Sequence, residues 1–363
     1  MTPGNALSAR PVFIVSTGRC GSTMLSDMVR LHPQLLSVSE FFAALAAGDV
    51  RDRQVSGEGA FRRLDTTRPA ARAFLSAGLE VDEYLYSLGP NARYTADTVP
   101  PIMGTTLPYL TDDHEELWDE LAPHLRARGY DSLLRHYRFV FEWLTRRFGN
   151  QVWLERSGGS LLLVRTLARR FPDARFVHVF RDGRDTAMSM RGHHAFRAMA
   201  LAALATRRLG LDPFRAFNWP PTSPWMPLVA RLQFKFFSAE RYLKTRIGLP
   251  AFGWFWSGMI ERGTGYLEQL GPTRVLSLRF ESMLESPREE ISRFIEFVGP
   301  EFADAAWLKK ASELPRPRPP SWTGLSPEEH ATLAEACAPG QAILRYTDGM
   351  PAHPGHAAAG ERQ

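Results

Sequence analysis

Short runs of apolar and β-branched residues recur along the chain at 11–16 (PVFIVS), 35–39 (LLSVS), 151–155 (QVWLE), 175–180 (RFVHVF) and 274–280 (RVLSLRF). They are nearly continuous rather than alternating, the pattern of strands covered on both faces. Between them the apolar positions follow a helical period, as in Met24, Leu25, Met28, Val29 and Leu31. Strands separated by helices predict an α/β fold: a parallel β-sheet flanked by helices. Two long stretches, about 42–150 and 192–272, read as mostly helical with proline-rich breaks such as VPPIMG and NWPPTSPWMP, so they are insertions or a cap. After RPRPP (316–320) a helix resumes, with Ser326 and Glu329 at capping-box spacing. The organisation expected is one domain over 1–350. Its core is 11–60, 150–192 and 274–348, its helical insertions are about 61–149 and 193–273, and 351–363 form a disordered tail.

Composition adds limits. With 363 residues, 44% hydrophobic and 23% charged, the chain can bury a sizeable core. No apolar run approaches the roughly 18–20 residues that cross a bilayer, and MTPGNALSAR lacks the apolar centre of a secretory signal. A cytoplasmic location is expected, and the two cysteines, Cys20 and Cys337, have neither metal-ligand spacing nor a disulfide framework. The net charge of +5 comes from scattered residues without a nucleic-acid motif, so a small, highly anionic ligand is expected and no nucleic acid. Only Lys235, Lys244, Lys309 and Lys310 among the 44 basic residues are lysines, so an arginine at any one place is partly habit.

Candidate chemistry begins at FIVSTGRCGSTML, 13–25, where a strand ends and a helix begins near Gly21 or Ser22. Such a junction aims backbone N–H groups and the positive helix end at whatever sits above it, which makes a phosphate cradle. A nucleotide triphosphatase loop would put a lysine after the second glycine; here Ser22 follows Gly21, and no lysine is present. A second junction, FVHVFRDGRDTAMSMRGH (176–193), ends its strand at Arg181 and carries Ser189 about two helical turns later.

The two segments together resemble the signatures of sulfotransferases that use 3'-phosphoadenosine 5'-phosphosulfate (PAPS): a 5'-phosphosulfate loop x-x-[RK]-[SC]-G-[ST]-[ST] and a 3'-phosphate element R-[DN]-x-R-D-x-x-x-S. The resemblance implies a P-loop-like sheet, PAPS as donor, adenosine 3',5'-bisphosphate (PAP) as product, and no metal. It implies that Gly18, Arg19, the backbone of Cys20 and Gly21, and the hydroxyls of Ser22 and Thr23 hold the phosphosulfate, while Arg181 and Ser189 hold the 3'-phosphate. A permanently charged guanidinium beside a helix N-terminus suits the negative charge that develops on the bridging oxygen. In similar tyrosylprotein and bacterial sulfotransferases a helix, a His-Pro (here His32-Pro33) and a short strand lead to a glutamate base, which implies Glu40. His193 and His194 are its rivals. WLERSGGS (153–160) stands where bacterial members carry Glu-Lys-Thr-Pro, implying that Arg156 replaces a lysine beside the migrating group. RPRPPSWTGLSPEEH stands where relatives fold a loop over the adenosine, implying contacts from Arg316, Arg318 and Trp322.

The acceptor must be read from the parts the resemblance does not cover. Thirteen of the 66 residues from 195 to 260 are aromatic, Trp219, Trp225, Trp254 and Trp256 among them. That suits a hydrophobic small molecule or lipid as acceptor, or simply packing of the helices themselves. FKFFSAERYLKTRIG (234–248) offers an arginine-rich amphipathic face for peripheral membrane contact. Two other classes stay open: a phosphotransferase with a modified loop, and a non-catalytic nucleotide-binding module.

Overall fold

In the sheet strands, odd and even positions feed different cores. Phe13 and Val15 of β1 (Val12–Val15) lie on one face with Leu36 and Val38 of β2 (Leu35–Ser39). Val12 and Ile14 lie on the other face with Leu35. Two short strands, β3 (Gln54–Val55) and β4 (Asp131–Ser132), pair with each other as a separate antiparallel ribbon. The strands β5 (Val152–Ser157), β6 (Arg175–Phe180) and β7 (Val275–Arg279) complete the main sheet, in the order β2-β5-β1-β6-β7 with every pair parallel. The computed structural model describes residues 10–45, 49–50, 53–79, 81–214, 239–317 and 319–345.

The α/β class expected from the apolar runs is the class observed, and each of the five expected strands forms within two residues of its expected ends. A pattern apolar on both faces requires helices on both faces, and both are present. Helix Ser22–Arg30 and helix Pro287–Val298 cover one face through Leu25, Met28, Ile291 and Phe294. Helices Leu133–Arg147 and Leu249–Glu268 contribute Tyr137, Phe141, Phe252 and Phe255 to the core on the other face. The two insertions therefore share a core with the sheet.

One expectation needs correction. The stretch 42–150 is not simply helical: it contains the β3–β4 ribbon, and 81–100 carries neither helix nor strand. Trp256 follows the packing alternative: it is fully buried and lies where side chains on Gly183 and Gly340 would be. Trp254 packs at a tilt against Phe214 and receives Arg207 over its ring. Trp219, Trp225, Arg318, residues 234–238 and the 351–363 tail lie outside the described residues. Ser326 and Glu329 form the reciprocal capping box at the start of helix Pro327–Ile343. Among the described residues no helix is long and apolar enough to cross a membrane.

Candidate active site

In an open parallel sheet, ligands sit beyond the carboxyl ends of the strands, where the winding direction reverses. Here β1 is central and its neighbours β5 and β6 come much later in the chain. Arg19, Glu40, Arg156 with Gly158, and Arg181 all emerge at that edge, each from a different strand.

The β1 turn is shaped by two glycines. Gly18 (φ 80°) and Gly21 (φ 86°) occupy the left-handed region, and a side chain on either would collide with a ring, Phe196 at Gly18 and Phe280 at Gly21. Arg19 between them is also left-handed (φ 57°). Helix Ser22–Arg30 begins with no side-chain cap and no acid in its first turn, so its leading N–H groups have no acceptor within the helix, and the first of them, Ser22 N–H, meets the Cys20 sulfur. Cys20 turns its thiol inward, donating to the Val179 carbonyl at 3.2 Å, where burial pushes its pKa up against hydrogen bonds with Ser16 and Ser22. The Ser22 hydroxyl lies beneath the turn, accepting from Ser16 at 3.4 Å, and Thr23 is exposed.

The second junction differs. Asp182 caps helix Gly183–Gly192 with its own carboxylate, accepting from the Arg184 N–H at 2.7 Å. That helix end is spoken for, so an anion there depends on side chains. Arg181 lies over the Phe280 ring at 4.7 Å and pairs with Asp185 at 3.3 Å, while its buried Nε has no partner among the described residues. Ser189 accepts from Arg19 Nε at 3.0 Å, which joins the two sequence elements across 170 residues.

Glu40 closes β2 with a left-handed backbone (φ 55°), a conformation that costs a side-chain-bearing residue energy and tends to mark functional positions. Thr105 and Thr106 hold this corner by donating to the carbonyls of Glu40 and Ser39 at 3.2 and 3.0 Å. The Glu40 carboxylate is buried, accepting from the Gly158 N–H at 2.9 Å and from the Arg156 guanidinium, which also donates to Ser39 Oγ at 2.8 Å. Burial pushes the Glu40 pKa above the ordinary range; the Arg156 charge opposes this, and the nearby Glu83 charge adds to it. Arg156 is thus neither a surface ion pair nor free to roam, since it is clamped between Ser39 and Glu40.

His193 reaches the same region, with Nε2 on Glu83 at 2.7 Å and Nδ1 buried and unpartnered among the described residues. His194 packs on Tyr242 instead. His32 is structural, bonded to the Phe302 carbonyl at 2.8 Å. Trp322 is brought to helix Gly183–Gly192 but not left open: Arg184 lies over its ring at 4.0 Å, and His330 lies 5.0 Å away. The neighbouring Ser321 donates through both N–H and Oγ to Asp185, each at 2.6 Å. Arg316 is exposed. Among the described residues no cluster of ligating side chains could hold a metal.

Residues 11–216, more than half of the chain, match the family model described as the sulfotransferase family. The chain belongs to the sulfotransferase family. A 52-residue segment is 44% identical to cytosolic sulfotransferase 6 of Arabidopsis thaliana, spanning 14% of this chain and 15% of that relative. Among solved structures, the sulfotransferase domain of the curacin biosynthetic pathway is 15% identical with a TM-score of 0.41, covering 92% of this chain and 99% of its own. A sulfotransferase from Mycobacterium avium is 15% identical with a TM-score of 0.42, covering 94% and 78%. In this chain, sequence reasoning missed Ser39 and the Gly158 N–H, which fix the Arg156–Glu40 pair. It also missed Asp82 and Glu83, acids in a loop without periodicity that reach Arg19 at 3.0 and 3.3 Å.

Proposed function

We propose that this chain transfers a sulfuryl group from PAPS to a hydroxyl of a hydrophobic small molecule or lipid. The observation that carries the reading is the Arg19–Ser189 contact. It brings the residue matched to the 5'-phosphosulfate into one cluster with a residue matched to the 3'-phosphate. The residues fit such a donor: an uncapped helix start, a two-glycine cradle and an Arg181 Nε that lacks a partner are all suited to phosphate oxygens.

In this reading Arg19 and the N–H groups from Cys20 to Thr23 hold the phosphosulfate end, and Arg181 and Ser189 hold the 3'-phosphate. Glu40 takes the proton of the acceptor hydroxyl. The acceptor oxygen then forms its bond to sulfur as the bond between sulfur and the bridging phosphate oxygen breaks, leaving PAP and a sulfate ester. A carboxylate with a raised pKa is better matched to this work near neutral pH than an ordinary one. Arg156 places positive charge at the same point from a buried position. Support for an apolar acceptor comes from the surroundings of the Gly158-Gly159 turn: Phe196, Met199 and Met259 border it beside the Glu40 carboxylate.

The experiment is calorimetric titration of PAP without metal, with 5'-AMP and with ATP plus magnesium in parallel. PAP binding that depends on the 3'-phosphate, followed by turnover of labelled PAPS on hydrophobic alcohols, is the expected result. Preference for ATP with magnesium would return the β1 turn to a phosphotransferase reading, and PAP binding without any turnover would favour a non-catalytic module.

A further inference from the structure

Residues 81–86 belong to neither helix nor strand and lie in the first insertion, outside the two sequence elements that carry the donor reading. They are nevertheless anchored. The Leu85 N–H donates to the Gly104 carbonyl at 2.8 Å, and the Tyr84 ring fills the space that a side chain on Gly104 would take. From this turn Asp82 and Glu83 both reach Nη1 of Arg19, while Glu83 also binds His193 Nε2 at 2.7 Å. The Arg19 guanidinium is therefore met by two carboxylates on the side opposite its Nε bond to Ser189. The Glu83 carboxylate is largely buried, and its pKa is lowered. Burial alone would raise it, but His193 and Arg19 outweigh that, so the acid stays charged.

We propose that the Asp82–Glu83 turn is an autoinhibitory latch: its carboxylates hold Arg19 in the place of the donor's phosphosulfate, and must leave before the donor binds. The proposal rests on the donor reading above for what displaces the turn, but not for the contact itself. A phosphosulfate cannot share one guanidinium edge with two carboxylates at this range, because like charges brought together in a partly buried site repel strongly. Apparent donor affinity is then the intrinsic affinity reduced by the fraction of molecules whose turn is open. The penalty falls only on ligands that need Arg19. A nucleotide with a 3'-phosphate and no 5'-phosphate escapes it.

The test is titration of the full chain and of the Asp82→Asn/Glu83→Gln variant with PAP and with adenosine 3'-monophosphate. The latch predicts that PAP binds about tenfold more tightly to the variant, the result of raising a minor open population toward unity, while adenosine 3'-monophosphate is unchanged. Equal or weaker PAP binding by the variant overturns it, as does an equal gain for both nucleotides. A readout without nucleotide separates this from failure of the donor reading: amide exchange at 81–86 should be faster in the variant and in Arg19→Ala than in the unaltered chain. If PAP binds neither protein, the donor reading fails, and the exchange rates alone decide the latch; unchanged exchange refutes it.

Discussion

The Arg156 and Glu40 side chains are only 4% and 5% exposed, and each answers the other's charge. Breaking such a pair leaves one charge buried and alone, so Arg156→Ala should destabilise the fold by about 3–5 kcal/mol, read from urea midpoints. Glu40→Gln keeps the shape and removes the base: turnover should fall roughly 10²- to 10⁴-fold with PAP affinity unchanged by calorimetry. Equal loss of both would mean that Glu40 only shapes the site. One strand position away, Glu155 points into the opposite core, where burial raises its pKa from 4.5 to about 8. The unfolded chain releases this proton near 4.5 and the folded chain holds it until about 8, so folding takes up a proton across that window. Stability should fall as pH rises through it and level off above, and Glu155→Gln should flatten the slope. A Glu155→Gln variant with the same pH slope would show that another group is responsible.

At the scale of elements, the two strand-to-helix junctions look alike in sequence and differ in structure. One helix start is uncapped, and the other is capped by Asp182. Arg181→Ala should therefore cost more at the second junction than a comparable change would at the first, where backbone donors remain. A loss of more than about 1.5 kcal/mol in PAP binding is expected, the scale of a charge-assisted hydrogen bond, with little change for 5'-AMP. Gly21→Ala strains a left-handed position and meets the Phe280 ring, so both stability and PAP affinity should drop, as thermal melts and titration would show. The strands were readable because continuous apolar runs have few other fates than a doubly covered sheet. Arg19, Arg181 and Ser189 were picked out because the segments that carry them resemble the two sulfotransferase signatures. Asp82 and Glu83 were not, since a loop that docks 63 residues away from its partner leaves no local pattern. Nor were β3 and β4, because two-residue strands are too short to show a period.

Across the whole molecule, the insertions behave as parts of the core rather than as a detachable cap. Trp256 shows why composition left two readings open: an aromatic-rich stretch can wall a ligand cavity or fill a protein interior, and the placement of this ring against Gly183 and Gly340 makes it interior packing. Its truncation to alanine should cost about 3–5 kcal/mol, read from denaturant unfolding. The strand order carries one more consequence, for the chain during its synthesis. Among the described strands β1 is the first in the chain, and it pairs with β5 and β6, which begin at residues 152 and 175. At roughly 5–20 residues per second, a ribosome needs about 7–30 seconds to supply those partners. Throughout that interval an apolar strand with both edges open waits beside its exit, so production in cells should respond to chaperone supply and slow translation far more than the stability of the finished protein suggests.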